Sequence, residues 1–451
     1  MTSSILWFRR DLRLRDHPAL NAAVEQAGAQ GVVPLFVIEP ALWDGAGDSR
    51  RRWLAATLRS LDDACNGRLT VRRGDPAQVV AQVAHEHHAD SVHVSRETTP
   101  YGRRRDERVG AALGDGVRLV ETGTPYAVGP GVIVNGSGSP YKVFTAFSRS
   151  WHDHGWPTPA ERPARIHWVD GGSGDDAEKL IADAAGGELD FEVGEDAAHQ
   201  RWEDFLDGPV DHYGTDRDRP AKDGTSRLSP YLKLGVLHPR TLLADLAHKR
   251  SDGAQTYRTE IAWREFYADV LWHQPRSSWH DLRDQLSGMT YDEPTRAIEA
   301  WKAGETGYPI VDAGMRQLLE TGWMHNRLRM ITASFLTKDL HVWWPVGARH
   351  FLDHLVDGDV ASNNHGWQWV AGTGTDASPY FRVFNPVTQG QKFDPDGAYV
   401  RRWVPQLRHL QGKATHEPWT VDDGYAEGYP ERIVDHADER KEALRRYEAA
   451  R

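Results

Sequence analysis

Residues 32–38 read VVPLFVI, a short run rich in β-forming side chains. Comparable runs lie on both sides of it at Ile5–Phe8, Leu69–Val71, Ser91–Val94 and Val117–Val120. Stretches that read as helices separate them: His17–Ala27, Arg51–Ala64, Pro76–His88 and Arg103–Leu113. In the third of these, Val79, Val80 and Val83 fall at i, i+1 and i+4 and share one apolar face. Strand–helix alternation with short joins predicts an α/β doubly wound parallel sheet over residues 1–125. Ligands of such sheets sit beyond the carboxyl ends of the strands. The first strand runs into FRRDLRLRD (8–16) and not into GxGxxG. A dinucleotide fingerprint is absent, and the sheet need not carry the main cofactor.

Residues 126–196 are rich in Gly, Asp, Ser and Pro and read as an interdomain linker with little regular structure. Within them SPYKVFTAFSRSW (139–151) is aromatic enough to dock onto a domain. From 197 to 451 the pattern is helical, which predicts an all-α C-terminal domain. Its helices are expected at Pro239–Lys249, Thr256–Trp272, Pro294–Ala303, Ile310–Thr321, Asn326–Asp339 and Pro345–Leu355, with a charged terminal helix within 431–451.

No apolar run approaches the roughly 20 residues of a membrane span, so no membrane partner is expected. Arg9 and Arg10 interrupt the N-terminus too early for a signal peptide. Cys65 is the single cysteine, which excludes a disulfide within the chain and any all-cysteine zinc or iron–sulfur site. These features predict a soluble intracellular protein. It is expected to be cytoplasmic, nucleoid-associated if bacterial, and a monomer is assumed. The net charge is −11, yet net charge governs solubility more than local contact. Arg and Lys recur among the aromatic motifs, at Arg217, Arg264, Arg316, Arg327, Arg329, Arg382, Lys392, Arg401 and Arg402. The acidic residues crowd 170–205.

The segment 353–386, DHLVDGDVASNNHGWQWVAGTGTDASPYFRVFNP, combines Asp357 and Asp359, the amides Asn363 and Asn364, and Trp367 and Trp369. Carboxylates and amides beside large aromatics suit a pocket for a big, flat, polar ring. TSRLSPYLKLG (225–235) sets Thr225, Ser226 and Ser229 before a helix; with Arg227 this reads as an anion site or as an ordinary cap. In EIAWREFYADVLW (260–272), Glu260, Trp263, Arg264 and Tyr267 share a face, either a pocket wall or half of an amphipathic helix. Asp312 and Arg316 stand at i, i+4 and read as a salt bridge. Arg329 is expected to pair with Asp357. HEHH (85–88) lacks HExxH spacing and reads as solvated, so no metal site is expected.

FRRDLRLRD, GTSRLSPYLKLG, WREFY, TGYPIVDAGMRQLLETGWMHNRLRM, DGDVASNNHGWQWVAGTGTDASPYFRVFNPVTQG and KFD together resemble the DNA photolyase/cryptochrome family, in particular class I photolyases. The motifs occur in family order over nearly the whole chain. The resemblance implies an antenna-chromophore domain followed by a helical domain that holds FAD. It implies FAD contacts at Tyr213, Thr225, Ser226, Arg227, Leu228, Ser229, Glu260, Arg264, Asn326, Arg329, Asp357, Asp359 and Asn363, with Asn363 facing flavin N5. It implies a lesion pocket of Arg217, Glu260, Trp263, Asn326, Arg327, Met330 and Trp369. Trp367 and Trp344 match the first two members of the family's electron path to the surface. The third position falls on Tyr291 in GMTYDEP, so either Tyr291 or a neighbouring aromatic ends the path. TPYGRRRD (99–106) resembles members whose antenna is 8-hydroxydeazaflavin. Gly102 stands where folate-binding members have glutamate; methenyltetrahydrofolate or no antenna are the alternatives.

The function implied is light-driven repair of cyclobutane pyrimidine dimers in DNA. In it the dimer is flipped out of the duplex and split by an electron from reduced FAD. A blue-light photoreceptor of the same fold, or repair of (6-4) or single-stranded lesions, are the rivals. Asn363 and Met330 favour repair.

Overall fold

The strand at Val32–Ile38 is buried along its whole length, as a strand covered on both faces must be. The computed structural model, which describes residues 2–375 and 382–450, places it second in a five-stranded sheet. The strands are β1 (Ser4–Phe8), β2 (Val32–Ile38), β3 (Thr70–Arg73), β4 (Ser91–Val94) and β5 (Arg118–Glu121). Their spatial order is β3-β2-β1-β4-β5 and all pairs are parallel. The order reverses between β1 and β4, which makes their carboxyl ends the switch point of the sheet.

Pro34, inside β2, has no N–H to give a ladder. The Val32 N–H turns to the carbonyl of His167, so by alternation position 34 faces the same side. Pairing with β3 starts only at Leu35 opposite Thr70, so the proline fills a gap in the ladder. Helices Pro18–Ala27, Asp48–Ala64, Pro76–Glu86 and Pro100–Leu113 follow the first four strands. Val80 and Val83 enter the sheet core with Ile5, Trp7, Val33, Leu35, Val37, Val92 and Val94.

The chain divides into two compact units, drawn differently from a split at 125 and 196. One comprises Met1–Tyr141, Thr145–Asp207 and Ser226–Pro275; the other Lys142–Phe144, Gly208–Thr225 and Arg276–Arg451. The stretch 126–196 carries more regular structure than its composition suggested, with helices at Phe144–His154 and Asp175–Ala184. The first is anchored by Trp151, whose indole donates to Glu265 at 2.9 Å. The glycines of the stretch all lie outside these two helices.

In the second unit, helices Thr295–Ala303, Pro309–Thr321, Asn326–Ser334, Trp344–His354 and Val360–Ala371 enclose one core that includes Trp301, Trp344 and Trp367. After Ser334 the backbone loosens into a π-helical turn, Phe335–Asp339. The terminal helix, His436–Ala450, docks through His436 to Asp339, His341 to Glu439 at 2.7 Å, and Arg446 to Asp292 at 2.8 Å. Asp312 and Arg316 do not pair. Asp312 accepts from Thr306, Gly307 and Tyr429, while Arg316 donates to the Gly304 carbonyl and to Gln406. A buried carboxylate with four local donors has no need of the arginine one turn on.

Candidate active site

In the first unit the Asp252–His273 helix carries Glu260, Trp263 and Arg264, all half-buried. Trp263 packs against Phe266 and Tyr267, with ring centroids 5.8 and 5.4 Å away. The Arg264 guanidinium is held by the carbonyls of Pro125 (3.0 Å) and Leu232 (3.2 Å) and lies over Tyr126. Its charge is thereby fixed in place by neutral backbone acceptors.

Glu265, the next residue, escaped the sequence reading. It is buried and accepts from the backbone N–H groups of Ala127, Val128 and Gly129 as well as from Trp151. Burial raises its carboxyl above the ordinary range, against the pull of those donors. The only sequence signal was an acid among aromatics in WREFY.

The 225–235 motif forms as expected, with a helix at Ser229–Leu234. Ser226 Oγ lies 2.8 Å from the Tyr257 hydroxyl and accepts from the Leu228 N–H. Arg227 adopts φ 51°, sparsely populated for a residue with a Cβ. Its guanidinium binds Asp190 and covers Phe191, so it is already engaged by a carboxylate.

At the strand ends of this unit, Arg9 bonds Asp106, Arg105 bonds Glu39 at 2.6 Å, and both guanidinium groups lie over Trp7. Arg105 Nη2 is buried there without a partner among the described residues. Gly102 has no room for a side chain, because the Glu97 carboxyl arm fills the place of its Cβ.

In the second unit the expected pair forms: Arg329 Nη2 donates to Asp357 Oδ2 at 2.7 Å. Asp357 Oδ1 is buried with no partner among the described residues. Asp359 caps the Val360–Ala371 helix by accepting from the Ser362 N–H at 3.0 Å. One turn on, Asn363 uses both amide hydrogens, on the Ala348 carbonyl (3.1 Å) and on Asn364 Oδ1 (2.8 Å). Its own Oδ1 therefore remains as an acceptor. The buried side of the helix is stitched to 277–282, by Asn364 to the Ser278 carbonyl, His365 to Ser277 at 2.9 Å, and Gln368 to the Ser277 carbonyl and the Leu282 N–H. These polar anchors fix the pitch of the helix on which Asn363 rides. An orphaned buried carboxylate oxygen and a spare amide oxygen fit the polar edge of a flavin and its sugar.

Tyr213 is buried, with the Arg217 guanidinium over its ring. Asn326 is exposed, and Arg327 and Met330 are half-buried. Arg327 bonds Asp218 at 2.6 Å and lies over Phe393. Trp367 is buried and Trp369 half-buried on the same helix. The Trp367 ring rests on Gly347, where a Cβ would stand 2.2 Å from it. Trp344 is fully buried and donates to Asp281 at 2.7 Å. Tyr291 is half-buried, and its phenol is pushed above the ordinary range by burial and by the nearby Asp281. Asp376 of the GTGTD run and the four residues after it, ASPY, lie outside the described residues, as does Phe381. Among the described residues no group of His, Cys, Asp and Glu could hold a metal, and no helix is long and apolar enough to cross a membrane.

Residues 4–164 match the family model described as DNA photolyase, and residues 257–449 that of the FAD binding domain of DNA photolyase. A deoxyribodipyrimidine photo-lyase of Streptomyces griseus is 42% identical and is aligned over 100% of this chain and 99% of its own length. A solved class III photolyase from Agrobacterium tumefaciens superposes with a TM-score of 0.88 at 36% identity, covering 100% of this chain and 98% of that one. A cryptochrome from Synechocystis sp. PCC6803 superposes at 0.89 with 26% identity, covering 98% of each.

Proposed function

The chain belongs to the DNA photolyase family, and from that premise we propose that it is a deoxyribodipyrimidine photo-lyase that repairs cyclobutane pyrimidine dimers in DNA under blue light. The observation that carries the reading is the pairing of an FAD binding domain with an asparagine, Asn363, whose amide hydrogens are both engaged so that its amide oxygen is left as an acceptor. An acceptor at flavin N5 favours the protonated N5 of the reduced cofactor, the form that repair requires. The chemistry FAD supplies when bound is light-driven donation of one electron to the dimer and recovery of that electron after the cyclobutane ring has split.

The residues of this chain bind and orient. Asp357, held by Arg329, accepts from the flavin edge or ribose; Ser226, Leu228 and Ser229 offer hydroxyls and backbone N–H groups to the phosphates. Arg227 and Arg264 then contribute mainly by fixing backbone, since Asp190 and two carbonyls already hold their guanidinium groups. Trp263 and Trp369 stack on the flipped bases, which meet a dry aromatic surface and not water. Glu260 hydrogen-bonds or protonates a dimer carbonyl as negative charge develops there. Arg217 and Arg327 neutralise phosphates, Asn326 pairs with base edges, and Met330 adapts to the dimer's shape.

The domain reading accompanies this one: 1–125 for an antenna, 126–196 as connection and 197–451 for FAD and DNA. The antenna proposed is 8-hydroxydeazaflavin beyond the ends of β1 and β4. Its support is TPYGRRRD, the Arg105 Nη2 that has no partner among the described residues, and the Glu97 arm that leaves no room for a folate-type glutamate at 102. Absorbance of the chromophore released on denaturation separates deazaflavin, methenyltetrahydrofolate and none. The class I assignment rests on motif order, and a cytoplasmic monomer is the working state.

The test is repair of a dimer-containing oligonucleotide with the flavin reduced beforehand and a dark control. Light-dependent recovery of adjacent thymines is expected. Photoreduction without repair would move the chain to the photoreceptor reading, to which the cryptochrome likeness belongs. Repair only of (6-4) or only of single-stranded substrates would change the lesion and keep the enzyme.

A further inference from the structure

Trp343 is 37% exposed, and its indole meets that of Trp344 edge-to-face with centroids 6.4 Å apart. Trp344 opens the Trp344–His354 helix, and Gly347, one turn later, supports the Trp367 ring. The family resemblance makes Trp367 and Trp344 successive members of the path, and the ring contact of Trp344 with the exposed Trp343 extends it to the surface. We infer that Trp343, and not Tyr291, is the surface end of the electron path that refills Trp367. The inference rests on the flavin-dependent reading above and adds the residue that makes photoreduction productive.

An electron hole moves outward only if each site holds positive charge at least as well as the last. The Trp344 N–H donates to the Asp281 carboxylate, a negative neighbour that favours positive charge on that ring. Trp343 stands in water, which solvates the charge and accepts the indole proton. The alternatives lack these features. Trp301 meets the Trp367 ring edge-on with centroids 6.1 Å apart, but it is fully buried and gives its N–H to the neutral carbonyl of Thr332, so it offers the hole no exit. Tyr291 must lose its phenolic proton on oxidation, yet it makes no hydrogen bond to any described residue that could take the proton. Burial and Asp281 hold that proton more firmly than in a free tyrosine. Among the described residues the ring contact that leads on from Trp344 goes to Trp343, and none goes to Tyr291.

The balance is simple. Trp367 loses one electron to the light-excited flavin, Trp344 refills Trp367, and Trp343 refills Trp344. Trp343 then releases its N–H proton to water as a neutral radical, which an external thiol reduces by one electron and one proton.

The test uses the full-length holoenzyme with oxidised flavin, illuminated with thiol and followed by flavin absorbance, with transient spectra to identify the radical. Trp343→Phe should slow photoreduction about tenfold or more, with loss of the long-lived tryptophan radical, while Tyr291→Phe stays near wild type. The exposed site keeps Trp343→Phe folded, and chemically pre-reduced Trp343→Phe should repair, or fail to repair, as the wild type does. Wild-type photoreduction by Trp343→Phe, a tyrosine radical in the parent, or a parent that does not photoreduce would each overturn the inference. Trp343-dependent photoreduction in a protein that repairs nothing would uphold it and overturn the repair reading instead.

Discussion

Arg329 grips one oxygen of Asp357 at 2.7 Å and leaves the other buried and, among the described residues, unpaired. Such an oxygen costs about 1–3 kcal/mol unless something donates to it. FAD is the donor proposed here, so Asp357→Asn should release flavin more readily. Arg329→Ala removes the grip from a pair whose arginine side chain is a quarter exposed. A loss of about 1–2 kcal/mol, or roughly 5- to 30-fold in flavin affinity, is expected. Fluorescence of free flavin after dilution measures it; undiminished retention in both variants would remove Asp357 from the flavin site.

Arg327 is held by Asp218 at 2.6 Å, so a phosphate must compete with that carboxylate. Asp218→Asn should tighten binding of undamaged DNA by about two- to fivefold, the scale of a partly exposed ion pair. Arg327→Ala should weaken it and lower the salt slope of the affinity by about 1. If Asp218→Asn binds DNA like the parent, Arg327 does not contact phosphate.

How much of this was legible in the sequence depends on distance along the chain. β2 and β4 were placed to the residue, because an apolar run between breakers leaves little choice. β5, expected at Val117–Val120, shifts to Arg118–Glu121; an exposed edge strand carries a weaker pattern. The Arg329–Asp357 pair was readable because both residues lie in polar motifs that otherwise read as buried core. The partners of Arg227 and Arg264 were not, since Asp190 and the carbonyls of Pro125 and Leu232 belong to segments far away in sequence. Asp312 shows the reverse error: helical i, i+4 spacing offered Arg316, but nearer backbone donors win.

Glu265 ties three backbone N–H groups of 127–129 and the Trp151 indole to one helix. In Glu265→Gln one oxygen becomes an NH₂ group that faces donors. A loss of about 2–3 kcal/mol is expected, the cost of buried donors left unmade. Urea midpoints read it; a midpoint shift below about 0.5 kcal/mol would show that the 127–129 turn holds without the carboxylate.

Gly347 has the opposite problem, too little space. A Cβ there would lie 2.2 Å from Trp367 and 2.6 Å from Leu336. Gly347→Ala gains helix propensity of about 1 kcal/mol but overpacks by about 1–3 kcal/mol, so a small net loss of stability is expected. The ring must move, so flavin photoreduction should slow more than stability falls. A variant with normal photoreduction would mean that Trp367 tolerates displacement.

Acid should destabilise the fold from about pH 6.5 downward, where buried histidines take up protons only on unfolding. Burial lowers the pKa of His17, His93, His325 and His365 to about 4 and of His238 and His350 to about 3. Each stays neutral in the folded chain and takes up a proton near 6.5 once unfolded, so the unfolded state binds more protons between those values. Stability is therefore full above about pH 6.5 and is lost as pH falls from there toward 4 and 3. Asp16, lowered to about 2 by His238, Ala160 and Arg240 against its desolvation, adds acid loss only below pH 4. Asp339 acts the other way. Burial raises it to about 6, so its contribution is present below its unfolded value and lost as pH rises through 6. Burial raises Glu121, Glu195, Glu265, Asp269, Asp312 and Asp394 in the same direction as Asp339, and lowers His152, His199 and His416 along with the six histidines above, whose large shifts set the sign. Thermal melts at pH 7.5 and pH 5 should differ by at least about 5 °C, the lower value at pH 5. Equal midpoints would mean that these imidazoles are reached by water and protonated in the folded chain.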